Sequence, residues 1–173
     1  MNRFKDLVII IIILLPPRAL YSCPAPSKIK INETTFEEVE SMYNVLLSQT
    51  SEDNYVYTQL NASDFQIEGL NKVFVVTNPQ GIIENFNLRI DKSKFDQINA
   101  LLASKYVLKS SKIANVGNKL VKYKDGECWI FLTALHMDFE LELVYTTDNF
   151  RKKRVIEIKR EQEQKRQSIL DKF

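Results

Sequence analysis

The sequence predicts an α+β protein, with an antiparallel β-sheet packed by two amphipathic helices and with a long C-terminal helix. Three observations predict this class. Apolar and polar residues alternate in hairpin-like pairs, two segments carry apolar residues at helical spacing, and the chain after residue 149 contains neither glycine nor proline. A chain of 173 residues, 45% hydrophobic and 27% charged, is long enough to bury a real core.

Residues 1–22 have the pattern of a secretory signal peptide. Arg3 and Lys5 precede an unbroken apolar run from Leu7 to Leu15, and a Pro-Pro pair ends it. This run suits the core of a signal peptide, whereas a membrane-spanning helix needs about 20 apolar residues. We therefore expect an exported protein, in the periplasm, attached to a membrane by a lipid anchor, or secreted.

The two cysteines leave two alternatives open. Leu20-Tyr21-Ser22-Cys23 resembles a bacterial lipobox, in which the cysteine becomes the lipidated first residue of a lipoprotein. Ordinary cleavage near Ser22 would instead leave Cys23 able to form a disulfide with Cys128, because exported proteins meet an oxidising compartment. Lipidation would leave Cys128 as a lone thiol, whereas the disulfide would tie an N-terminal arm, residues 23–33, to the body.

Residues 34–148 form the predicted α+β domain, and its first pass is residues 34–90. Thr34 and Glu37 are placed as a capping box for a first helix that runs to about Ser48. Strands are expected at Tyr55–Leu60 and at Phe65–Leu70. Asn78-Pro79-Gln80-Gly81 suits a turn, which predicts a hairpin between residues 72–77 and 82–90.

The second pass, residues 91–146, repeats this plan. Asp91 or Ser93 is expected to cap a helix with an apolar face that contains Phe95, Ile98 and Leu102. A polar loop is expected over residues 109–118. Three strands then follow at residues 120–123, 128–135 and 139–145, and Phe139 is expected to begin the buried face of the last one.

The charged C-terminal helix, residues 149–173, is predicted to begin at a cap made by Thr147 or Asp148. Val155, Ile156 and Ile158 are expected to dock its first half, and its remainder is expected to project into solvent. Residues 149–173 have a net charge of +5, whereas residues 23–148 have a net charge of −5. The candidate interaction residues are a basic tetrad and an apolar tip: Arg151, Lys152, Lys153, Arg154, Ile169, Leu170 and Phe173. The tetrad could meet an anionic partner or membrane surface, or it could dock on the acidic body, and a plain solvated helix is the third interpretation.

No catalytic, cofactor or metal motif is recognisable in the sequence, so we expect a non-enzymatic protein without a cofactor. His136 lies beside Asp138, and Glu140 and Glu142 share one face of a strand, but turns and half-exposed strands commonly produce both patterns. Trp129 is expected in the core, although with Phe131 and the tyrosines it could line a ligand groove. Nucleic acid is not an expected partner, because the body is acidic and no aromatic residues interleave with the basic ones.

The helix start Thr34-Thr35-Phe36-Glu37-Glu38-Val39, after a signal peptide and before an antiparallel sheet, resembles small bacterial envelope proteins of the BamE/SmpA and β-lactamase-inhibitor-protein type. The resemblance implies a domain that works by binding another envelope or secreted protein. We therefore expect a protein-binding domain of the bacterial cell envelope. The alternatives are an inhibitor or immunity protein against an exported toxin or hydrolase, and a carrier of a small apolar ligand.

Overall fold

A computed structural model of the protein describes residues 23–171; the predicted signal peptide and Phe173 lie outside them. The strands are β1 (Cys23–Pro24), β2 (Lys30–Ile31), β3 (Val45–Thr50), β4 (Val56–Leu60), β5 (Leu70–Thr77), β6 (Ile83–Asp91), β7 (Val107–Ile113), β8 (Lys119–Asp125), β9 (Cys128–Ala134) and β10 (Glu140–Thr147). The helices are α1 (Phe36–Met42), α2 (Phe95–Lys105) and α3 (Asp148–Leu170). None of the helices within residues 23–171 combines the length and apolar content needed to cross a bilayer.

Strands β3 to β10 form one antiparallel sheet in the order β3-β4-β5-β6-β10-β9-β8-β7. Four strands follow α1 and four follow α2, and the two groups join where β6 pairs with β10. At this seam Leu88 lies opposite Leu143, and Asn87 lies opposite Val144. The predicted α+β class, with a large antiparallel sheet and a C-terminal helix, is confirmed.

The sheet has one buried face and one half-exposed face. On the buried face, strand residues such as Leu60, Leu88 and Leu132 share a single core with Ile29 and Ile31 of the N-terminal arm. Val39 of α1 and Phe95 and Leu102 of α2 belong to the same core. The alternate residues form the other face, called here the open face. It includes the half-buried side chains of Tyr57, Phe74, Asn87, Phe131 and Val144.

The first helix is shorter than predicted, and its capping box lies one residue later. Thr35 is the N-cap: its hydroxyl accepts from the Glu38 N–H at 3.2 Å, and the Glu38 carboxylate accepts from the Thr35 N–H at 2.8 Å. The helix ends at Met42 rather than near Ser48, because Val45–Thr50 pairs with β4. β-branched and apolar residues in that segment fit a strand as well as a helix, and the ladder of backbone hydrogen bonds decides between them.

One strand prediction was wrong, and one loop prediction was wrong in part. The segment Phe65–Leu70 is not a strand, because Ala62–Phe65 forms a 3-10 turn and Gln66 is left-handed at φ 51°. Residues 109–118 are not wholly a loop, because β7 occupies Val107–Ile113. Every β7 side chain is exposed, so the strand shows none of the alternation by which sequence patterns reveal strands. The hairpin between residues 72–77 and 82–90 is confirmed as β5 and β6.

The remaining corrections concern helix ends and exposed apolar residues. Neither Asp91 nor Ser93 caps α2 with its side chain, because a 3-10 turn over Lys92–Lys94 precedes the helix. Phe139 is 91% exposed at the turn before β10 and does not begin its buried face. The Thr147 cap of α3 is confirmed, since its hydroxyl accepts from the Phe150 N–H at 3.1 Å.

Candidate functional site

Helix α3 is held against the open face of the sheet by its first turn. Phe150 is buried and packs on Tyr55, with ring centroids 5.9 Å apart, and both contact Val76 in a small second core. The docking predicted for Val155, Ile156 and Ile158 was wrong: these side chains are 46%, 60% and 40% exposed. Phe150 is therefore the buried apolar anchor of the helix.

Asp148, the first residue of α3, connects this helix to strands β8 and β9. Its carboxylate accepts hydrogen bonds from Trp129 Nε1 at 2.6 Å, from Lys124 Nζ at 3.2 Å and from Arg151 Nη2 at 3.2 Å. Burial works to raise the pKa of Asp148, but the bonds from Trp129, Lys124 and Arg151 outweigh it and hold the pKa below its usual value. Lys124 Nζ and Arg151 Cζ also lie 4.9 and 5.1 Å from the Trp129 ring centroid, within cation–π range.

A second polar chain begins at Lys153 on the other side of α3. Lys153 Nζ donates to the Tyr55 hydroxyl at 2.9 Å, and that hydroxyl donates to the buried carboxylate of Glu84 at 3.3 Å. Asn78 Nδ2 donates to the other Glu84 oxygen at 3.1 Å. The hydrogen bond to Tyr55 raises the pKa of Lys153, which therefore stays charged beside Glu84. Sequence reasoning missed Glu84, because a single acid in an apolar run gives no indication of its partners.

Arg154 forms ion pairs within α3. Its guanidinium lies 2.8 Å from Glu157 Oε2 and 3.8 Å from Glu161 Oε1, on the same helix. The bond to Glu157 raises the pKa of Arg154, whereas desolvation raises the pKa of the neighbouring Tyr57. Three members of the predicted basic tetrad are thus engaged within the molecule, while Lys152 is exposed. The contacts of Arg151 with Trp129 and of Lys153 with Tyr55 correspond to the alternative in which the tetrad docks on the body.

A groove of about 330 Å³ lies between α3 and the middle of the open face. Its apolar floor and wall are formed by Phe131 and Val144 of the sheet and by Val155 and Ile158 of the helix. Charged residues border it: Lys122 Nζ lies 5.9 Å from the Phe131 ring centroid, and Arg89 pairs with Glu142 at 3.2 Å. The groove therefore combines an apolar centre with a charged margin.

A separate apolar cavity of about 300 Å³ lies on the opposite side of the sheet, beneath α2. Its lining includes Ile98, Leu101 and Leu102 of the helix and Leu143 and Tyr145 of the sheet. Burial strongly raises the pKa of Tyr145, so its hydroxyl stays protonated. Trp129 and Phe131 do not line this cavity; they lie on the open face, half-buried, and the prediction of a core position for Trp129 was wrong.

The remaining predicted site residues are dispersed. Cys23 and Cys128 are joined by a disulfide, with their Cα atoms 5.3 Å apart, on the buried side of the sheet. Ile169 and Leu170 are 54% and 55% exposed at the far end of α3, well away from the tetrad. The lipid-anchor alternative for Cys23 stays a prediction.

The residues considered for chemistry are engaged in structural contacts. The backbone N–H of His136 donates to Asn118 Oδ1 and its backbone carbonyl accepts from Lys92 Nζ, while the residue itself is exposed on the turn. Glu140 accepts from Asn71, whereas Glu142 accepts from Asn87 and pairs with Arg89. Within the described residues 23–171, no group of three or more His, Cys, Asp or Glu side chains could hold a metal ion.

Comparison of the chain with protein-family models, with curated proteins and with solved structures gave no match.

Proposed function

We propose that this chain is an exported, non-catalytic protein-binding domain of the bacterial envelope, whose partner is another envelope or secreted protein. The observation that carries the proposal is the groove between α3 and the open face, where Phe131, Val144, Val155 and Ile158 remain accessible beside charged side chains. Protein interfaces typically combine an apolar, aromatic-rich centre with a polar rim.

The charge of the open face indicates which partner surface would fit. Lys72, Arg89 and Lys122 lie on this face, and Glu142 is already paired with Arg89. At the groove itself the lining contains Arg151 and Arg154 and one acid, Glu142, so the groove favours a partner with acidic residues around an apolar segment. An inhibitor or immunity protein would use a surface of the same kind and remains an alternative within this proposal.

A site-specific photo-crosslink tests the proposal, with two phenylalanines as a matched pair. We would place a photoreactive amino acid at Phe131 in the groove, or at the exposed Phe139 on the β9–β10 turn, in the full chain in its host. We expect a crosslinked envelope protein from position 131 only, and we expect Val144→Lys to abolish it. Equal crosslinking from both positions, or a crosslink that survives Val144→Lys, would contradict a groove-directed partner.

A carrier of a small apolar ligand is the second candidate function, and the cavity beneath α2 favours it. Its volume of about 300 Å³ lies at the lower end of ligand sites, which span about 300–1,000 Å³. An apolar fluorescent probe should bind there, and Leu102→Trp, which adds side-chain volume within the cavity, should weaken binding. Leu46→Trp on the exposed strand β3 provides the control.

We further propose that α1 and α2 are the amphipathic helices that cover the buried face, and that residues 34–90 and 91–146 are two passes of one plan. Each pass begins with a helix and continues with four antiparallel strands, which supports this proposal.

Export and anchoring are tested by the intact mass of the protein from its host's envelope fraction. Acyl mass on Cys23 would establish a lipoprotein, whereas a bare chain that gains two hydrogens on reduction would establish the disulfide.

A further inference from the structure

Strand β3, at one edge of the sheet, offers an exposed and uncharged surface for strand pairing. All six of its residues, Val45 to Thr50, are exposed, and none is charged. Val45, Leu46 and Leu47 are 37%, 57% and 54% exposed, on a strand hydrogen-bonded to β4 along one side only. Edge strands present unpaired N–H and C=O groups, and natural sheets commonly guard them with charged side chains, bulges or covering segments.

Both edge strands have a register shift, between Val45 and Leu47 in β3 and between Leu108 and Ser110 in β7, but the opposite edge carries a further guard. Strand β7 is also exposed along its whole length, but it contains Lys109 and Lys112. Lysines on an edge strand disfavour pairing with another strand, because the added strand would bring further charge or desolvate the ammonium groups. The contrast between the two edges indicates that β3, and not β7, is the edge available for pairing.

Helix α3 runs across the open face towards the β3 edge of the sheet. It crosses the open face near the ends of the strands, and its first turn places Phe150 against Val76 of β5. Further along, Arg154 and Glu157 lie beside Tyr57 of β4. Glu161 and Gln164 then border the end of β3. The seven residues from Lys165 to Asp171 continue beyond this point and are all exposed.

The length of this overhang matches added strands. Seven helical residues span about 10 Å at 1.5 Å per residue, and neighbouring strands lie about 4.8 Å apart. The overhang is therefore about as long as two interstrand spacings. Ile169 and Leu170 are the apolar residues in this overhang, and within the described residues they contact no core.

We propose that β3 pairs antiparallel with β3 of a second copy of this chain, so that each copy's α3 covers the partner's strand. Antiparallel self-pairing joins two uncharged strands and brings no like charges together. It also closes on itself by twofold symmetry, whereas pairing of β3 with β7 of another copy would leave free edges and propagate. Leu47 pairs with Gln59 and so points to the open face, the same side as α3. In the dimer the overhang of one copy covers this side of the partner, which buries the exposed leucine and the apolar tip together.

Sedimentation equilibrium of the full chain, as its host processes it, tests this proposal. We expect a reversible dimer within concentrations up to about 100 µM. Leu47→Lys should weaken dimerisation by at least about tenfold, as expected when an apolar residue at the centre of an interface is replaced by a charge. Leu108→Lys is the matched control, because Leu108 is a leucine of the other edge strand with nearly equal exposure, 53% against 54%. Circular dichroism of each variant checks that it folds.

A deletion and a hydrogen-exchange measurement separate the two parts of the proposed contact. Removal of residues 165–173 should weaken the dimer without changing the fold, because every residue from Lys165 to Asp171 is exposed. Backbone amides of β3 should become more protected from exchange as the concentration rises, whereas those of β7 should not. A chain that stays monomeric, a dimer equally sensitive to both leucine variants, or β3 protection only with a different protein bound would overturn the proposal. The groove-directed crosslink tests the proposed function separately, because Phe131 lies on β9, away from β3.

Discussion

Opening the Cys23–Cys128 disulfide should remove a large part of the stability of the protein. The bond closes a loop with a sequence separation of 105 residues, and a loop of about this length is worth about 4.7 kcal/mol in the chain-entropy treatment. Domains of this size unfold with about 5–15 kcal/mol in total. The loss should act first on the arm, where Ile29 and Ile31 are fully buried and β1 and β2 form only a two-residue pairing.

The assay is equilibrium unfolding in urea, with and without reductant, of the wild-type chain and of a Cys23→Ser/Cys128→Ser variant. Reductant should lower the free energy of unfolding of the wild type by about 4–5 kcal/mol and leave that of the double variant unchanged. The reduced wild type should resemble the double variant more closely than the oxidised protein. A reductant effect below about 1 kcal/mol would refute the reasoning. So would alkylation of Cys128 in the unreduced native protein, which would show that the bond is not formed.

Three further predictions concern α3 and its attachment. Phe150→Ala should lower the free energy of unfolding, measured in urea, by about 3–5 kcal/mol, because this buried ring is the apolar anchor of the helix. A loss below about 1 kcal/mol would contradict that role. Asp148→Asn should destabilise the protein at neutral pH, by about 1–3 kcal/mol for the charge-assisted bonds it weakens. Since the folded-state pKa of Asp148 is depressed, this stabilisation is present above the unfolded pKa near 3.9 and is lost as the pH falls through the folded pKa. The difference in free energy of unfolding between the wild type and Asp148→Asn should therefore disappear as the pH falls below about 4. A difference that does not depend on pH would exclude the Asp148 carboxylate as its source. Deletion of residues 159–173 should leave the thermal midpoint almost unchanged and weaken association with a partner, a membrane surface or a second copy; a large loss of midpoint would place this segment in the core.

The strands that could be predicted from the sequence are those with one buried face. Strands β5, β6, β9 and β10 alternate buried and half-exposed side chains, and the turn Asn78–Gly81 marks the hairpin between the first two, so the pattern predicts them. Strands β3 and β7 carry no such signal, because both of their faces meet solvent. Local pattern alone assigned the first to a helix and most of the second to a loop.

The candidate site was predictable only in part, for a related reason. The basic tetrad at residues 151–154 stands out by composition, so the sequence identified it. Its partners do not stand out: Tyr55 lies 98 residues from Lys153, and Asp148 lies 19 residues from Trp129. Contacts between such distant residues depend on sheet order, and one-dimensional spacing contains no record of that order.

The seam between β6 and β10 has a consequence for the nascent chain. β6 is complete once residue 91 has been synthesised, but its second neighbour in the sheet ends at Thr147. Until then β6 is itself an edge, with Phe86 and Leu88 lacking the strand that flanks them in the finished protein. Such half-finished sheets are prone to aggregate as they emerge from the ribosome. Ribosome-bound chains that stop before β10 should therefore depend most on holding chaperones, and that dependence should end abruptly when the last strand becomes available.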